Sequence, residues 1–329
     1  MTAKAFLAAA ALCFAALPFG LAAPARAQDA AGFPRRAITV VIPASPGGAI
    51  DLVARLAGQK LSEAWGQPVV VDNKPGATGI IGTDAVARAQ PDGHTLVLVA
   101  SSHAINPSMV KRLPFDTVNG FEPVVLTHVV PLMLVVSPKV PARTVPELIA
   151  YGRANPGALT FASSGVGGAP HMSGELFKSM TGIQMTHVPY KGSTLAHPDL
   201  RGGVTSLMFD TVAAISPVVK GGQVNALAVT TAKRSAAAPD VPTMAEAGLA
   251  GYETSTWGGV LAPAGTPAAV VAKLNAGFNA ALAAPDVAEK LKAAGIEPAG
   301  GTPQEFGAFI RSEMAKWAKV AADADIKPE

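Results

Sequence analysis

Residues 38–51 read Ile-Thr-Val-Val-Ile-Pro-Ala-Ser-Pro-Gly-Gly-Ala-Ile-Asp, and this stretch decides the fold. The β-branched run at its start predicts a buried strand over 38–42. Two prolines end the strand, and the pair Gly47-Gly48 predicts a tight turn. Apolar residues at helical spacing between 52 and 61 predict a helix directly after the glycines, with Asp51 in its first turn.

A strand, a glycine turn and a helix N-terminus together present a cluster of free backbone N–H groups. The helix dipole favours a negative charge at that position, so the stretch is a candidate anion site. The alternative is that the two glycines only turn the chain, as in many strand-to-helix loops. This stretch alone leaves both interpretations open.

The first 27 residues have the pattern of a secretion signal. Lys4 precedes an apolar stretch over 5–17 that is too short to span a bilayer, and Ala25-Arg26-Ala27 supplies a small-x-small cleavage site. We expect cleavage after Ala27, a mature chain from Gln28, and a periplasmic location. No arginine pair precedes the apolar stretch, which favours export of the unfolded chain.

Composition describes a mature chain that is nearly neutral and free of cysteine. Cys13 is the only cysteine of the sequence and lies in the signal segment, so disulfide and thiol chemistry are excluded after cleavage. Cleavage removes Lys4 and Arg26 and no acidic residue, so the formal charge of +3 falls to +1. No basic stripe is present, which argues against nucleic-acid binding. A mature chain of this length usually forms two lobes.

Strand and helix patterns alternate along the chain and predict a parallel α/β architecture. Further strands are predicted at 69–71, 95–100, 159–162, 185–189, 206–211 and 225–230, and helices at 80–89, 145–154, 171–180, 195–200, 267–283, 285–294 and 303–324. Two longer runs, 121–137 and 252–261, predict strands that cross between the lobes. The expected division is 28–126 plus 253–329 for one lobe and 127–252 for the other.

The stretch Ser163-Ser164-Gly165-Val166-Gly167-Gly168 repeats the opening device, because a predicted strand precedes it and a predicted helix follows it. We call residues 44–48 the first glycine loop and residues 163–168 the second glycine loop. In different lobes, the two loops would face each other across a cleft. The second loop fails the dinucleotide fingerprint, because Pro170 stands where the third glycine belongs.

Motifs for catalysis are absent from the sequence, which has no Gly-x-Ser-x-Gly elbow, Walker loop or His-Glu-x-x-His, and its six histidines show no metal spacing. A secreted hydrolase using Ser101 or Ser164 with a histidine and Asp210 is the rival hypothesis. Two further residues are ambiguous. Lys191 is a pocket cation or an ordinary solvated lysine, and Asp210 is a ligand contact or a cap of the next helix.

Seven motifs in register resemble the Bug family of extracytoplasmic solute receptors, the substrate-binding component of tripartite tricarboxylate transporters. They are Pro-Ala-Ser-Pro-Gly-Gly-Ala-Ile-Asp (43–51), Gly-Gln-Pro-Val-Val-Val-Asp-Asn-Lys-Pro-Gly-Ala (66–77), Pro-Asp-Gly-His-Thr-Leu (91–96), Ala-Ser-Ser-Gly-Val-Gly (162–167), Val-Pro-Tyr-Lys-Gly (188–192), Asp-Val-Pro-Thr-Met-Ala-Glu-Ala-Gly (240–248) and Trp-Gly-Gly-Val-Leu-Ala-Pro-Ala-Gly-Thr-Pro (257–267).

The resemblance implies a class II periplasmic-binding-protein fold, a monomer with a hinge of two crossing strands that closes on a small carboxylate. It implies no catalytic residue, metal or cofactor, and transient contact with a cognate membrane permease. An orphan sensor that reports its liganded state to a signalling protein would share the same site. The expected ligand-binding residues are Ala44, Ser45, Pro46, Gly47, Gly48, Asp51, Ser101, Ser102, Ser163, Ser164, Gly165, Gly168, Lys191, Asp210 and Thr211.

The chain departs from the family pattern within the first glycine loop. The family more often has Phe, Pro and Thr where this chain has Ala44, Ser45 and Ile50. Loss of an aromatic ring and gain of a hydroxyl are expected to widen the cleft entrance and make it more polar. Residues 193–197 also differ from the usual version, which is rich in glycine and proline.

Overall fold

A computed structural model describes residues 32–328 of the chain, so the predicted signal segment and its cleavage site lie outside the described residues. The strands are β1 (Ile38–Ile42), β2 (Val69–Asn73), β3 (Thr95–Ala100), β4 (Phe121–Val136), β5 (Leu159–Ser163), β6 (Met185–Pro189), β7 (Leu207–Thr211), β8 (Asn225–Val229), β9 (Ser255–Pro263) and β10 (Glu297–Pro298). The α-helices are α1 (Ala49–Trp65), α2 (Ile80–Ala87), α3 (Ser102–Met109), α4 (Val145–Ala154), α5 (Ala169–Thr181), α6 (Ser193–Gly202), α7 (Val212–Lys220), α8 (Ala268–Ala283), α9 (Pro285–Ala293) and α10 (Pro303–Asp323).

Lobe 1 is built on a sheet in the order β2-β1-β3-β9-β4, with β10 on the outer side of β4. Strand β1 is parallel to β2 and β3, whereas β9 runs antiparallel to its neighbours β3 and β4. Helices α1, α8 and α9 cover one face, and α2, α3 and α10 cover the other. Because both faces are covered, β1 and β3 are nearly continuous apolar runs.

Lobe 2 is built on a second sheet, in which the end of β4 lies between β7 and β8 and the order continues through β5 to β6. Strand β5 is parallel to both of its neighbours, as the alternating strand and helix pattern predicts. Helices α4 and α5 pack on one face of this sheet, and α6 and α7 pack on the other.

Strand β4 belongs to both sheets. Its residues 121–131 pair with β9, whereas residues 132–136 pair with β7 and β8. The chain returns to lobe 1 close to this junction. Just before β9 begins, the N–H of Thr254 donates to the carbonyl of Thr230 at 3.0 Å. The two crossing strands of the prediction are therefore present. The exact division at 126/127 and 252/253 stays a prediction.

Differences from the predicted elements have local causes. Helix α3 was not predicted, because it has only eight residues and contains Pro107. The second crossing strand begins at Ser255, three residues later than predicted. The reason is that Tyr252 is buried in lobe 2, where its hydroxyl donates to the carbonyl of Ser173 at 2.7 Å.

Helix α10 ties the two lobes together. It starts at a capping box formed by Thr302 and Glu305. In its middle the buried Glu313 carboxylate accepts hydrogen bonds from the indoles of Trp257, at 3.0 Å, and Trp317, at 3.1 Å. At its end Asp323 accepts a hydrogen bond at 2.6 Å from a lobe 2 side chain, that of Ser179 on α5.

Candidate ligand site between the lobes

The first glycine loop places an uncapped helix N-terminus at the cleft. Gly47 has a φ of +91°, which glycine adopts without steric cost. Gly48 is the N-cap of α1, with φ −83° and ψ 174°, and no side chain caps the first turn there. The N–H groups of that turn are therefore available to an anionic ligand.

Asp51 organises this loop from within the helix. Its carboxylate is buried and accepts hydrogen bonds from the N–H of Gly47 at 3.1 Å and from the amide of Asn73 at 3.0 Å. Two further bonds from Arg55 measure 2.9 and 3.0 Å. Chiefly the Arg55 hydrogen bonds, then those from Gly47 and Asn73, lower the pKa of Asp51 to about 2 against the effect of burial. Both oxygens are thus engaged in shaping the loop.

The second glycine loop repeats this construction with a different acceptor. Gly167 has a φ of +76°, and Gly168 is the N-cap of α5 with φ −86° and ψ 164°, close to the angles of Gly48. Here the N–H of Gly167 donates to Nδ1 of His171 at 3.2 Å. An imidazole four residues further along therefore takes the place that a carboxylate holds in the first loop.

A stack of three rings, of which Phe161 and His171 are buried and His187 is half-buried, supports the second glycine loop. The rings of His171 and His187 are 4.0 Å apart between centroids, and Phe161 stacks on His187 at 4.8 Å. Burial lowers the pKa of His187 to about 4 and, together with the charges of His187 and Lys178, that of His171 to about 3. The hydroxyl of Ser163 is buried, is 2.7 Å from Nε2 of His187 and donates to the Gly165 carbonyl at 2.8 Å.

An open cavity of about 430 Å³ lies between the lobes, and we call it the interlobe cavity. Its lining residues are Gly47, Gly48, Ala49, Leu52, Val130, Thr211, Ala213, Ala214, Thr256, Ala294 and Ile296. The first glycine loop thus faces the N-terminal turn of α7, which Thr211 caps through a hydrogen bond from the N–H of Ala214 at 3.3 Å. No lining side chain carries a charge.

The remaining sequence-predicted residues do not line this cavity. Ala44, Ser45 and Pro46 precede it in the first glycine loop, and the second glycine loop contacts α3 of lobe 1 near Met109. Ser101 is buried with its hydroxyl 3.2 Å from that of Thr256, and Ser102 begins α3. Ser164 and Lys191 are exposed, and Lys191 has no hydrogen bond or ion pair among residues 32–328.

Asp210 is buried next to Thr211 and does not itself line the cavity. Its carboxylate is 2.7 Å from Nε2 of His197 and accepts the N–H of Thr211 at 2.8 Å. Neither Ser101 nor Ser164 joins this pair, so the residues of the rival hydrolase are not assembled. Within the described residues, no group of three His, Cys, Asp or Glu side chains could hold a metal ion.

Sequence reasoning missed the α7 turn and the segment from Ala294 to Ile296 on the cavity wall. The strand-then-helix pattern around Thr211 could have pointed to the α7 turn. Nothing local marks Ala294 and Ile296, which reach the cavity only through tertiary packing. None of the helices within residues 32–328 is both long enough and apolar enough to cross a membrane.

Comparison with known proteins places the chain in a family. The family described as tripartite tricarboxylate transporter family receptor matches residues 53–326. BugT of Bordetella pertussis is 38% identical over 310 residues, which cover 94% of each chain. Among solved structures, R. palustris Rpa4515 with adipate is 40% identical, with a TM-score of 0.77 over 90% of this chain and 100% of its own.

The periplasmic binding protein BugD is 35% identical, with a TM-score of 0.74 over 90% of this chain and 100% of its own. These similarities confirm the predicted two-lobe, class II periplasmic-binding-protein fold. They also confirm the resemblance read from the seven motifs. The chain therefore belongs to the tripartite tricarboxylate transporter receptor family, with Bug proteins among its relatives.

Proposed function

We propose that this protein is a periplasmic receptor that captures a small carboxylate in the interlobe cavity and delivers it to a membrane permease. The observation that carries the proposal is the uncapped N-terminus of α1 at Gly47 and Gly48, which lines the cavity opposite the N-terminal turn of α7. Two helix N-termini converging on one cavity provide fixed dipoles of the sign that an anion requires.

The cavity chemistry fits a receptor that must release what it binds. Backbone N–H groups and the hydroxyls of Thr211 and Thr256 are its polar groups, and Leu52, Val130 and Ile296 supply apolar walls. Hydrogen bonds from neutral donors hold a desolvated carboxylate without the strong ion pair that would slow its release. Opening of the two crossing segments would then return the ligand to water.

The ligand class is proposed from the site and supported by Rpa4515, whose structure contains adipate. The remaining predicted residues, including Ser101, Ser163 and Lys191, are proposed as secondary contributors that shape or surround the cavity. We expect the mature chain to begin at Gln28, to act as a monomer in the periplasm and to use no cofactor.

Thermal unfolding with a carboxylate panel tests the binding step. The chain from Gln28 is mixed in turn with adipate, malate, citrate, glutamate and benzoate, and with adipamide as the uncharged counterpart of adipate. A ligand at a hundredfold excess over its Kd stabilises the folded state by about 2.7 kcal/mol, so a clear rise in Tm is expected for at least one carboxylate. No rise with any carboxylate, or an equal rise with adipamide, would contradict the proposal.

Uptake by whole cells tests the delivery step. Cells that lack this gene are expected to lose uptake of the tightest radiolabelled carboxylate from the panel and to regain it with the intact gene. Mass spectrometry of the protein released from the periplasm checks the expected start at Gln28. Normal uptake without the gene would exclude the transport role.

A further inference from the structure

Residues 294–296 form a segment between α9 and β10, which we call the strap. We infer that the strap is the closing contact of the receptor and that Gly295 sets how far the lobes close over the interlobe cavity. The inference rests on the proposed function in treating this cavity as the ligand chamber. The contact itself is defined by the structure alone.

The strap is fixed in lobe 1 at both ends. Gly295 ends α9 in the left-handed conformation, with φ +69°, and its N–H donates to the carbonyl of Lys292 at 2.9 Å. The N–H of Ile296 donates to the carbonyl of Leu291 at 2.9 Å, which completes a Schellman cap. The residues that follow form β10 and pair with β4 at His128 and Val129.

The middle of the strap touches lobe 2. A Cβ added to Gly295 would lie 2.7 Å from Cβ and 3.2 Å from Cα of Ala213, in the first turn of α7. At the next position after the strap, the Glu297 carboxylate accepts a hydrogen bond at 3.1 Å from the hydroxyl of Ser235 in lobe 2. Ala294 and Ile296, on either side of Gly295, line the interlobe cavity together with Ala213. The strap therefore bridges the two lobes at the cavity wall.

The close approach of Ala213 requires glycine at position 295 for a second reason, beyond the left-handed conformation of the helix cap. Gly66 and Gly182 end α1 and α5 in nearly the same conformation, with φ values of +64° and +72°. An added Cβ at either of them meets no atom within 4 Å. The three glycines share the same backbone conformation, and Gly295 alone of them faces the other lobe.

A methyl group at position 295 is incompatible with the lobe spacing in this structure. Non-bonded carbon atoms pack at about 3.5–4.0 Å, so a Cβ at 2.7 Å from Cβ of Ala213 requires the lobes to separate by about 1 Å. Gly295→Ala should thus weaken closure, whereas Gly66→Ala carries the same backbone cost without affecting the contact. Ala213→Gly removes the opposing methyl and should partly restore closure.

Disulfide trapping tests the contact without any ligand. The chain from Gln28 has no cysteine, so a Gly295→Cys/Ala213→Cys variant contains one possible pair. The pair needs only a small opening to reach the usual Cβ–Cβ distance of about 3.8 Å. We expect rapid cross-linking on mild oxidation, seen as a mobility shift that a reductant reverses. No cross-link, or equally fast cross-linking in a Gly66→Cys/Ala213→Cys control, would overturn the inference.

The distance between two spin labels, one on each lobe, tests the role of Gly295. Spin labels at Val70→Cys in lobe 1 and Val204→Cys in lobe 2 are both on exposed positions. We expect Gly295→Ala to lengthen the label distance, Gly66→Ala to leave it unchanged, and Ala213→Gly to shorten it again in the Gly295→Ala background. Unchanged distances in Gly295→Ala would show that the strap does not limit closure.

Affinity separates this inference from the proposed function. For the panel carboxylate that raises Tm most, Gly295→Ala should bind about ten- to a hundredfold more weakly than Gly66→Ala, the range expected from overpacking a tight contact. Equal affinities would refute the inference and leave the proposed function standing. If no carboxylate binds at all, the proposed function fails, and the cross-linking and distance results alone decide on the closing contact.

Discussion

The N–H of Gly167 donates to Nδ1 of His171 at 3.2 Å, so a ring nitrogen without a proton holds the second glycine loop. The equivalent bond in the first glycine loop ends on the carboxylate of Asp51. The same backbone geometry thus depends on two acceptors of different basicity, an imidazole with an ordinary pKa of about 6.5 and a carboxylate with an ordinary pKa of about 3.9. This difference leads to the first prediction.

Acid should loosen the second glycine loop before the first. The pKa of His171 is lowered to about 3, whereas an unfolded imidazole titrates near 6.5, so the unfolded chain binds the extra proton between these values. The stability that depends on a neutral His171 ring is therefore fully present above pH 6.5 and is lost as the pH falls towards 3. The contribution of His171 to this slope is about 1.4 kcal/mol per pH unit.

A His171→Gln variant has no titrating ring at this position. The unfolding free energy, measured with urea, should therefore depend less on pH between 4 and 6.5. NMR titration of the His171 ring in the wild-type chain provides an independent check. A ring that titrates near 6.5 would mean that His171 is not buried beside His187 in solution.

Gly48→Asp should abolish carboxylate binding and preserve the fold. Gly48 has a φ of −83°, open to any residue, and an added Cβ meets no atom within 4 Å. Aspartate is a favourable N-cap, so its carboxylate would occupy the N–H groups of α1 and repel a second anion. Calorimetric titration with the tightest carboxylate of the panel is the measurement.

The matched control for this change is Gly48→Ala, which adds a methyl group without charge. It should keep most of the affinity and lower stability by less than about 1 kcal/mol, since alanine caps a helix poorly. Undiminished binding by Gly48→Asp would show that the first glycine loop is not the anion site.

Asp51→Ala should destabilise the protein and weaken ligand binding together. It removes a buried charged acceptor of hydrogen bonds from Gly47, Asn73 and Arg55, at a cost of about 1–3 kcal/mol. The exposed ion pair of Asp84 and Arg88 has the same helical spacing and offers a control. Asp84→Ala should cost less than about 1 kcal/mol and leave binding unchanged. Similar effects of the two variants would refute the role of Asp51 in shaping the loop.

Glu313→Ala should be among the most destabilising changes in α10. Two buried indole N–H groups, those of Trp257 and Trp317, would lose their acceptor, which predicts a loss of about 2–5 kcal/mol in unfolding free energy. Glu313→Gln keeps an acceptor oxygen and should retain a large part of that stability. Equal losses for both variants in urea unfolding would show that these hydrogen bonds contribute little.

The parts of the fold that local sequence determines were predictable. Strand β1, the glycine turn and α1 form one continuous pattern of branched, small and helically spaced residues, and the second glycine loop repeats it. The capping box at Thr302 is equally local, because its two partners are three residues apart. These features depend on neighbours in the chain and on little else.

The parts of the site that depend on tertiary packing were not predictable. The i,i+4 spacing of Asp51 and Arg55 allows an ion pair, but the hydrogen bond from Asn73 on β2 requires the folded sheet. Asp210 was ambiguous because its partner, His197, lies thirteen residues earlier, on helix α6. The strap reaches the cavity only because β10 pairs with β4, more than 160 residues earlier in the chain.

The position of β9 has a consequence for folding during synthesis. This strand, from Ser255 to Pro263, lies between β3 and β4, so the sheet of lobe 1 lacks a central member until synthesis reaches the last quarter of the chain. Pairings over such sequence distances form slowly. We therefore expect lobe 1 to stay unfolded until β9 has been synthesised, a delay that would suit the proposed export of the unfolded chain.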